Sequence, residues 1–146
     1  MAIPGFSVTE TLVPRFRDTD AMGHINNAVY VTYLEVARQA YWRALDALSD
    51  YRRVPFILAH VTIDFRSEAL VNEVLEVGIR CDAIGGKSFD FAYEVREQRT
   101  QRLVVEARSV QVCYVYETKS TMPVPAELRA RLESFEGRPL HRAVRT

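Results

Sequence analysis

The strongest pattern in the chain runs from Asn26 to Leu48. Tyr30, Tyr33, Leu34, Ala37, Tyr41, Ala44, Leu45 and Leu48 recur at steps of three and four, the single apolar stripe of a helix. Asn26 or Asn27 can cap its start, and no Gly or Pro interrupts the residues after them. At 1.5 Å per residue such a helix is about 33 Å long, enough to cross a small domain. Ahead of it, Phe6 to Phe16 alternates loosely as a strand does, and Pro14 confines that end to a sheet edge or a bulge. Asp18-Thr19-Asp20-Ala21-Met22-Gly23 is the polar loop between the two.

Beyond the helix the period changes to two. Ile57, Ala59, Val61, Ile63 and Phe65 alternate with polar neighbours, as a half-buried strand requires. Leu75 to Ala83 and Phe89 to Val95 repeat the pattern. Val104 to Tyr116 is longer, and its apolar phase slips near Ser109-Val110, which predicts a bulge or strong bend. Gly85-Gly86 and Glu97 to Arg102 read as hairpin turns, and Pro125 opens a short C-terminal helix. One long helix followed by consecutive antiparallel strands predicts an α+β domain whose sheet covers that helix. No repeat or linker divides the chain, so residues 1–136 are expected to form one domain, with 137–146 a flexible basic tail.

Composition narrows the class. With 146 residues the chain can bury roughly 70% of its unfolded surface, so a core needs neither disulfide nor structural metal. Lys+Arg and Asp+Glu both number 19, and zero net charge removes the usual electrostatic case for a nucleic-acid or membrane-surface partner. Cys81 and Cys113 lie in apolar runs without metal or redox spacing and read as buried free thiols. No apolar run is long enough to span a bilayer and Met1 to Gly5 has no leader pattern, so a cytoplasmic protein is expected.

The stretch Asp18-x-Asp20-x-x-Gly23-His24-x-Asn26-Asn27-x-x-Tyr30 resembles the signature of hotdog-fold thioesterases, most closely the 4-hydroxybenzoyl-CoA thioesterase-like acyl-CoA thioesterases. The resemblance implies an antiparallel sheet wrapped around one long central helix, and active sites where two subunits pair. It implies an acyl-CoA substrate, no cofactor, and a homodimer or homotetramer. Asp20 matches the family's catalytic carboxylate. Gly23 matches the glycine that lets backbone approach the thioester, and the Asn27 N–H the donor that polarises its carbonyl. Lys87 and Ser88 match positions that touch the nucleotide portion of CoA. Two departures stand out: Gly85 and Gly86 replace a pair of arginines, and Met22 stands where the acyl-carrier-protein thioesterases carry Asn.

The chemistry asks for the same residues. A thioester has an activated carbonyl and a good leaving group, so hydrolysis needs a carboxylate, as base or nucleophile, and donors for the developing oxyanion. Asp20 just ahead of a helix N-terminus supplies the first. The unpaired N–H groups of that terminus supply the second. His24 can orient water or bond the carbonyl, or it can simply bond the backbone. Asn26 reads as a cap, and Asp18 as a turn-former or the partner of Arg17. Glu35 is the competing carboxylate, opposed by a structural i,i+3 pair with Arg38.

Other motifs fail. The Asp18 loop has Met22 and Val29 where an EF-hand needs ligands, Gly86-Lys87-Ser88 lacks the earlier glycine of a P-loop, and Asp18, Asp20 and His24 have no second His or Cys to complete a metal site. His60 points away from its strand's apolar set and reads as a solvated or interface histidine. The competing functions are a non-catalytic acyl-CoA-binding hotdog protein, disfavoured by the absence of basic excess, and a hotdog enoyl-CoA hydratase.

Overall fold

The computed structural model describes residues 3–45 and 56–142. Its elements follow the order β1 (Val8–Leu12), α1 (Val29–Leu45), β2 (Phe56–Phe65), β3 (Leu75–Ile84), β4 (Ser88–Glu97), β5 (Leu103–Val115), β6 (Ser120–Thr121) and α2 (Ala126–Glu136). The strands form one antiparallel sheet in the order β1-β3-β4-β5-β2, with β6 paired to β5. β1 is an edge strand and ends before Pro14, which therefore removes no ladder bond.

Most of the apolar stripe of α1 is buried as its spacing requires, with Tyr30, Tyr33, Leu34, Ala37 and Tyr41 inside, while Ala44 is exposed and Leu45 half-buried. The helix rests on β1 and β3. Trp42 makes edge contacts with Phe89 and Phe91 of β4 and a tilted one with Phe56 of β2, so the sheet curls around it. At the far end α2 is tied down by Glu136. Its Oε2 accepts from the Tyr41 hydroxyl at 2.6 Å, the Cys81 N–H at 2.9 Å and the Ser7 hydroxyl at 2.8 Å. Both cysteines are buried free thiols, and burial pushes Cys81 up to about 12.

Three expectations are corrected. The helix starts at Val29 rather than Asn26, because Asn26 is spent on the turn before it. Its Oδ1 accepts from the Ala28 N–H at 3.0 Å and its carbonyl from the Val29 N–H at 2.9 Å. The other end, Asp46 to Leu48, lies outside the described residues.

The phase slip in β5 is not a bulge of that strand. Val105, Ala107, Ser109, Gln111 and Cys113 are all buried in strict alternation. The apolar pattern breaks because two core positions are polar. Gln111 Nε2 donates to Ser109 Oγ at 2.6 Å, Ser109 and Tyr93 share a bond of 2.5 Å, and Arg38 donates to the Tyr93 hydroxyl at 3.1 Å. The extra residue sits opposite, on β2: Leu58 pairs with Gln111 and His60 with Val110, which leaves Ala59 between them.

Finally, the segment from 137 is not free throughout. Gly137 closes α2 at φ 73°, Leu140 is buried, and the Leu140 carbonyl and Arg142 N–H pair with Ile84. Residues 143–146 lie outside the described residues. Among those described, no helix is long and apolar enough to cross a membrane.

Candidate active site

A cleft of about 880 Å³ opens at the end of the sheet where β3 begins and β4 ends. Asp20, His24, Ile25, Asn27 and Tyr30 form one wall; Phe65 to Glu68, Leu70, Glu73 and Arg102 form the other.

The first wall is a loop built by short-range hydrogen bonds. Asp20 Oδ1 accepts from the Met22 N–H at 2.8 Å and the His24 N–H at 3.2 Å, while the Asp20 N–H donates to the His24 carbonyl at 2.8 Å. Gly23 sits at φ +83°, a backbone conformation natural to glycine, and an added Cβ would meet nothing. Asp20 is therefore a turn-maker through Oδ1 only. Its Oδ2 accepts no bond among the described residues. The first N–H groups ahead of α1 are equally uneven. Those of Ala28 and Val29 are taken by Asn26, and that of Asn27 has no partner among the described residues. Asn27 thus lies just before the helix rather than in its first turn, with its donor free.

Asp18 and Asp20 have opposite surroundings. Asp18 is 4% exposed, and its partners are the Arg15 N–H and guanidinium and the Tyr33 hydroxyl, the last at 2.8 Å; Arg17 is not among them. Burial pushes its carboxyl up, but those donors outweigh it and hold the group below the ordinary carboxylate value. Asp18 supports the loop from beneath. Asp20 faces the cleft.

The second wall was invisible in the sequence. Arg102 Nη2 donates to Glu73 Oε1 at 2.8 Å and to the Glu68 carbonyl at 2.9 Å, and its Nε to Ser67 Oγ at 3.3 Å. Glu73 Oε1 also accepts from the Leu70 N–H at 2.9 Å. The wall meets the first one through the Ile25 N–H, which donates to the Ala69 carbonyl at 2.9 Å, and through a bridge between His24 and Leu70. His24 Nε2 lies 3.2 Å from Glu68 Oε2. Burial lifts the Tyr30 hydroxyl up to about 12, so it stays neutral at the floor of the cleft. The only signal for this wall is the density of polar residues between Arg66 and Glu73, which alone marks a loop.

Two other predicted residues lie elsewhere. Glu35 is exposed and forms no ion pair with Arg38, whose guanidinium is turned to Tyr93 instead. Lys87 and Ser88 sit at the opposite end of the β3–β4 hairpin, about 30 Å from the cleft along ten residues of strand. Lys87 Nζ donates there to Thr121 Oγ1 at 3.3 Å. Within one chain Lys87 therefore does not line the cleft that holds Asp20.

Comparison with known proteins agrees with this architecture. Residues 14–132 match the model of the thioesterase-like superfamily. The chain is 25% identical over 121 residues to the long-chain acyl-CoA thioesterase FadM of Escherichia coli (strain K12), covering 80% of this chain and 89% of that protein. It is 27% identical over 129 residues to a 1,4-dihydroxy-2-naphthoyl-CoA hydrolase of Synechococcus elongatus, covering 83% and 91%. Among solved structures, a thioesterase from Thermus thermophilus complexed with coenzyme A and Zn superposes with a TM-score of 0.83 at 28% identity, over 94% of this chain and 100% of that one. The chain belongs to the thioesterase-like superfamily and is a hotdog-fold thioesterase.

Proposed function

We propose that the chain hydrolyses an acyl-CoA thioester to the free acid and CoA. One observation carries this reading: a carboxylate with one oxygen fixed and the other free shares a cleft with an unpartnered backbone donor. Asp20 Oδ2 takes a proton from the water that attacks the carbonyl carbon, or attacks that carbon itself to form an acyl–Asp20 anhydride that water then cleaves to the free acid, restoring the carboxylate. The Asn27 N–H and the positive end of α1 stabilise the oxyanion, and the CoA thiolate leaves. Gly23 keeps the loop tight and its surface bare, and His24, with Glu68 beside it, orients the water or the carbonyl. Glu35 remains the alternative carboxylate, exposed on α1 and without an ion-pair partner among the described residues.

We further propose that the working form is a homodimer or larger. β2 is an edge strand with β5 as its one neighbour among the described residues, so its outer ladder of backbone groups is open to a second copy. It exposes Leu58 to 40% and Phe65 to 46%, even though Val61 and Ile63 pack on the core and Phe65 on Tyr30. Lys87 and Ser88 reach CoA only if it is bound in the cleft of another copy. The buried free thiols fit a reducing compartment such as the cytoplasm.

The deciding experiment incubates the protein with aliphatic and aromatic acyl-CoA substrates and a thiol reagent. Release of free CoA is the expected result. Tight binding without release would favour the acyl-CoA-binding protein, and loss of enoyl absorbance without thiol release would favour the hydratase. Sedimentation at micromolar concentration is expected to give a dimer or tetramer; a fully active monomer overturns the assembly reading.

A further inference from the structure

We infer that Arg102 is a positioning residue for the cleft: by gripping the 67–73 segment at three points it fixes the wall on which His24 and the Asp20 loop are hung. The inference rests on the reading of Asp20 and His24 as the reacting side of the cleft.

Arg102 stands at the mouth of β5, outside every motif, and donates to Ser67 Oγ, the Glu68 carbonyl and Glu73 Oε1. These three acceptors span seven residues of a segment with no regular structure apart from a single bridge at Leu70. A planar guanidinium can serve them at once, whereas a lysine ammonium on its flexible stem cannot hold the same fork. Ser67 is held a second time, its hydroxyl donating to the Leu103 carbonyl at 2.7 Å. Glu73 is held a second time by the Leu70 N–H. Arg102 keeps the Glu73 carboxyl below its ordinary value, and Glu73 raises the guanidinium in return, so the pair stays charged across the working range.

The held segment is the one that meets the catalytic loop. Ala69 takes the Ile25 N–H, Leu70 bridges His24, and Glu68 presents its carboxylate to the His24 ring. His24 in turn holds Asp20 through bonds in both directions. The path is Arg102, the 67–73 wall, His24, Asp20. Since Glu68 is 70% exposed on its side chain, its contact with His24 cannot hold the wall by itself. Backbone bonds from Arg66 and Ser67 to the Val104 carbonyl anchor the start of the segment, and Arg102 is the one side chain that ties Ser67, Glu68 and Glu73 together.

The test compares Arg102→Lys and Arg102→Met with Arg80→Lys. Arg80 likewise joins one carboxylate, Asp82, and one carbonyl, Gly5, but far from the cleft. Both Arg102 variants are expected to lower kcat, about tenfold for Lys and about a hundredfold for Met, with KM within about twofold, as misplacement of reacting groups does. Arg80→Lys is expected to cost stability and leave kcat unchanged. Exogenous guanidinium is expected to restore part of the activity of Arg102→Ala.

The second readout needs no substrate. The chain has three histidines, and the ring resonance of His24 should shift or broaden in the Arg102 variants while those of His60 and His141 stay put. An unmoved His24 resonance in folded Arg102→Lys overturns the inference, whatever happens to kcat; so does an unchanged kcat in both variants. If the wild-type protein cleaves no acyl-CoA, the thioesterase reading fails and the resonance alone decides the role of Arg102.

Discussion

The two ends of the β3–β4 hairpin use charge to different degrees. At the cleft end Arg102 meets Glu73, Arg15 meets Asp18 and His24 meets Glu68, and most of these groups hold backbone as well. At the turn end Arg142 pairs with Asp90, but Lys87 touches only the Thr121 hydroxyl and Arg129 donates to the Gly85 carbonyl at 2.6 Å; neither Lys87 nor Arg129 has a carboxylate within ion-pair distance among the described residues. Cross-tied polar groups give fixed positions, which bond-making chemistry needs. Unpaired cations on a surface turn give attraction without geometry, which suits the charged tail of a substrate rather than its reacting atom. On the proposed function, chemistry belongs to one end and adhesion to the other, and substitutions at each end can strain that division.

The largest effect belongs to Asp20. Asp20→Asn keeps a side-chain oxygen for the Met22 and His24 N–H groups, so the loop should hold its shape. What is lost is the proposed base or nucleophile. Turnover should fall by orders of magnitude while acyl-CoA binding, measured by calorimetry, stays within a few-fold. If Glu35→Gln is the dead variant and Asp20→Asn turns over normally, the reacting carboxylate is on α1 and the cleft has been misassigned.

Asp18 tests whether the cleft end is rigid because it is cross-tied. Asp18→Asn leaves a buried amide among donors suited to a carboxylate and should destabilise the fold by about 1–3 kcal/mol at neutral pH. The sign of the pH dependence follows from the depressed carboxyl. The stabilising contribution is complete above the ordinary value of 3.8 and is lost as pH falls through the lower folded value. Chemical denaturation should therefore show the gap between wild type and Asp18→Asn closing below pH 3.8. A gap that is constant down to the acid transition would mean that Asp18 contributes no charge-dependent stability.

The cleft's first wall was legible in the sequence and its second was not, and the difference is one of range. Asp20, Gly23 and Asn26 act on residues two to four positions away, so their types and spacing alone imply turns and caps. The apolar stripe of α1 is equally local; its start was displaced by the turn that Asn26 makes, and Ala44 falls outside the buried face. Arg102 finds its partners 29 to 35 positions back in the chain, across a strand order that no local pattern encodes. The same limit misplaced the β5 irregularity. A phase slip looks alike whether a strand bulges or buries polar residues, and only the register against β2 separates the two. Arg17 was the wrong partner for Asp18 for a smaller reason: the short helical turn at Phe16–Asp18 brings i−3, not i−1, back onto the carboxylate.

The smallest expected effect is at the turn end. Gly85 and Gly86 leave the turn without side chains, and Lys87 is the cation of the turn itself, exposed and held by one hydroxyl contact, while the neighbouring Arg129 and Arg142 are engaged with the Gly85 carbonyl and Asp90. A phosphate meeting it is screened by solvent, and the contact should be worth about 1 kcal/mol or less. Lys87→Ala should then raise KM several-fold with kcat nearly unchanged, since a contact made equally in ground and transition states is lost. Salt should weaken wild-type binding more than that of the variant. Because Lys87 sits at the far end of the hairpin, about 30 Å of strand from its own chain's cleft, it is proposed to act on substrate bound to a second copy. Mixing Lys87→Ala with inactive Asp20→Asn protein gives dimers whose one working Asp20 faces a partner that keeps Lys87. Those dimers should recover the wild-type KM at half the sites or fewer. Should KM and its salt dependence be the same in wild type and variant, Lys87 plays no part in holding the substrate.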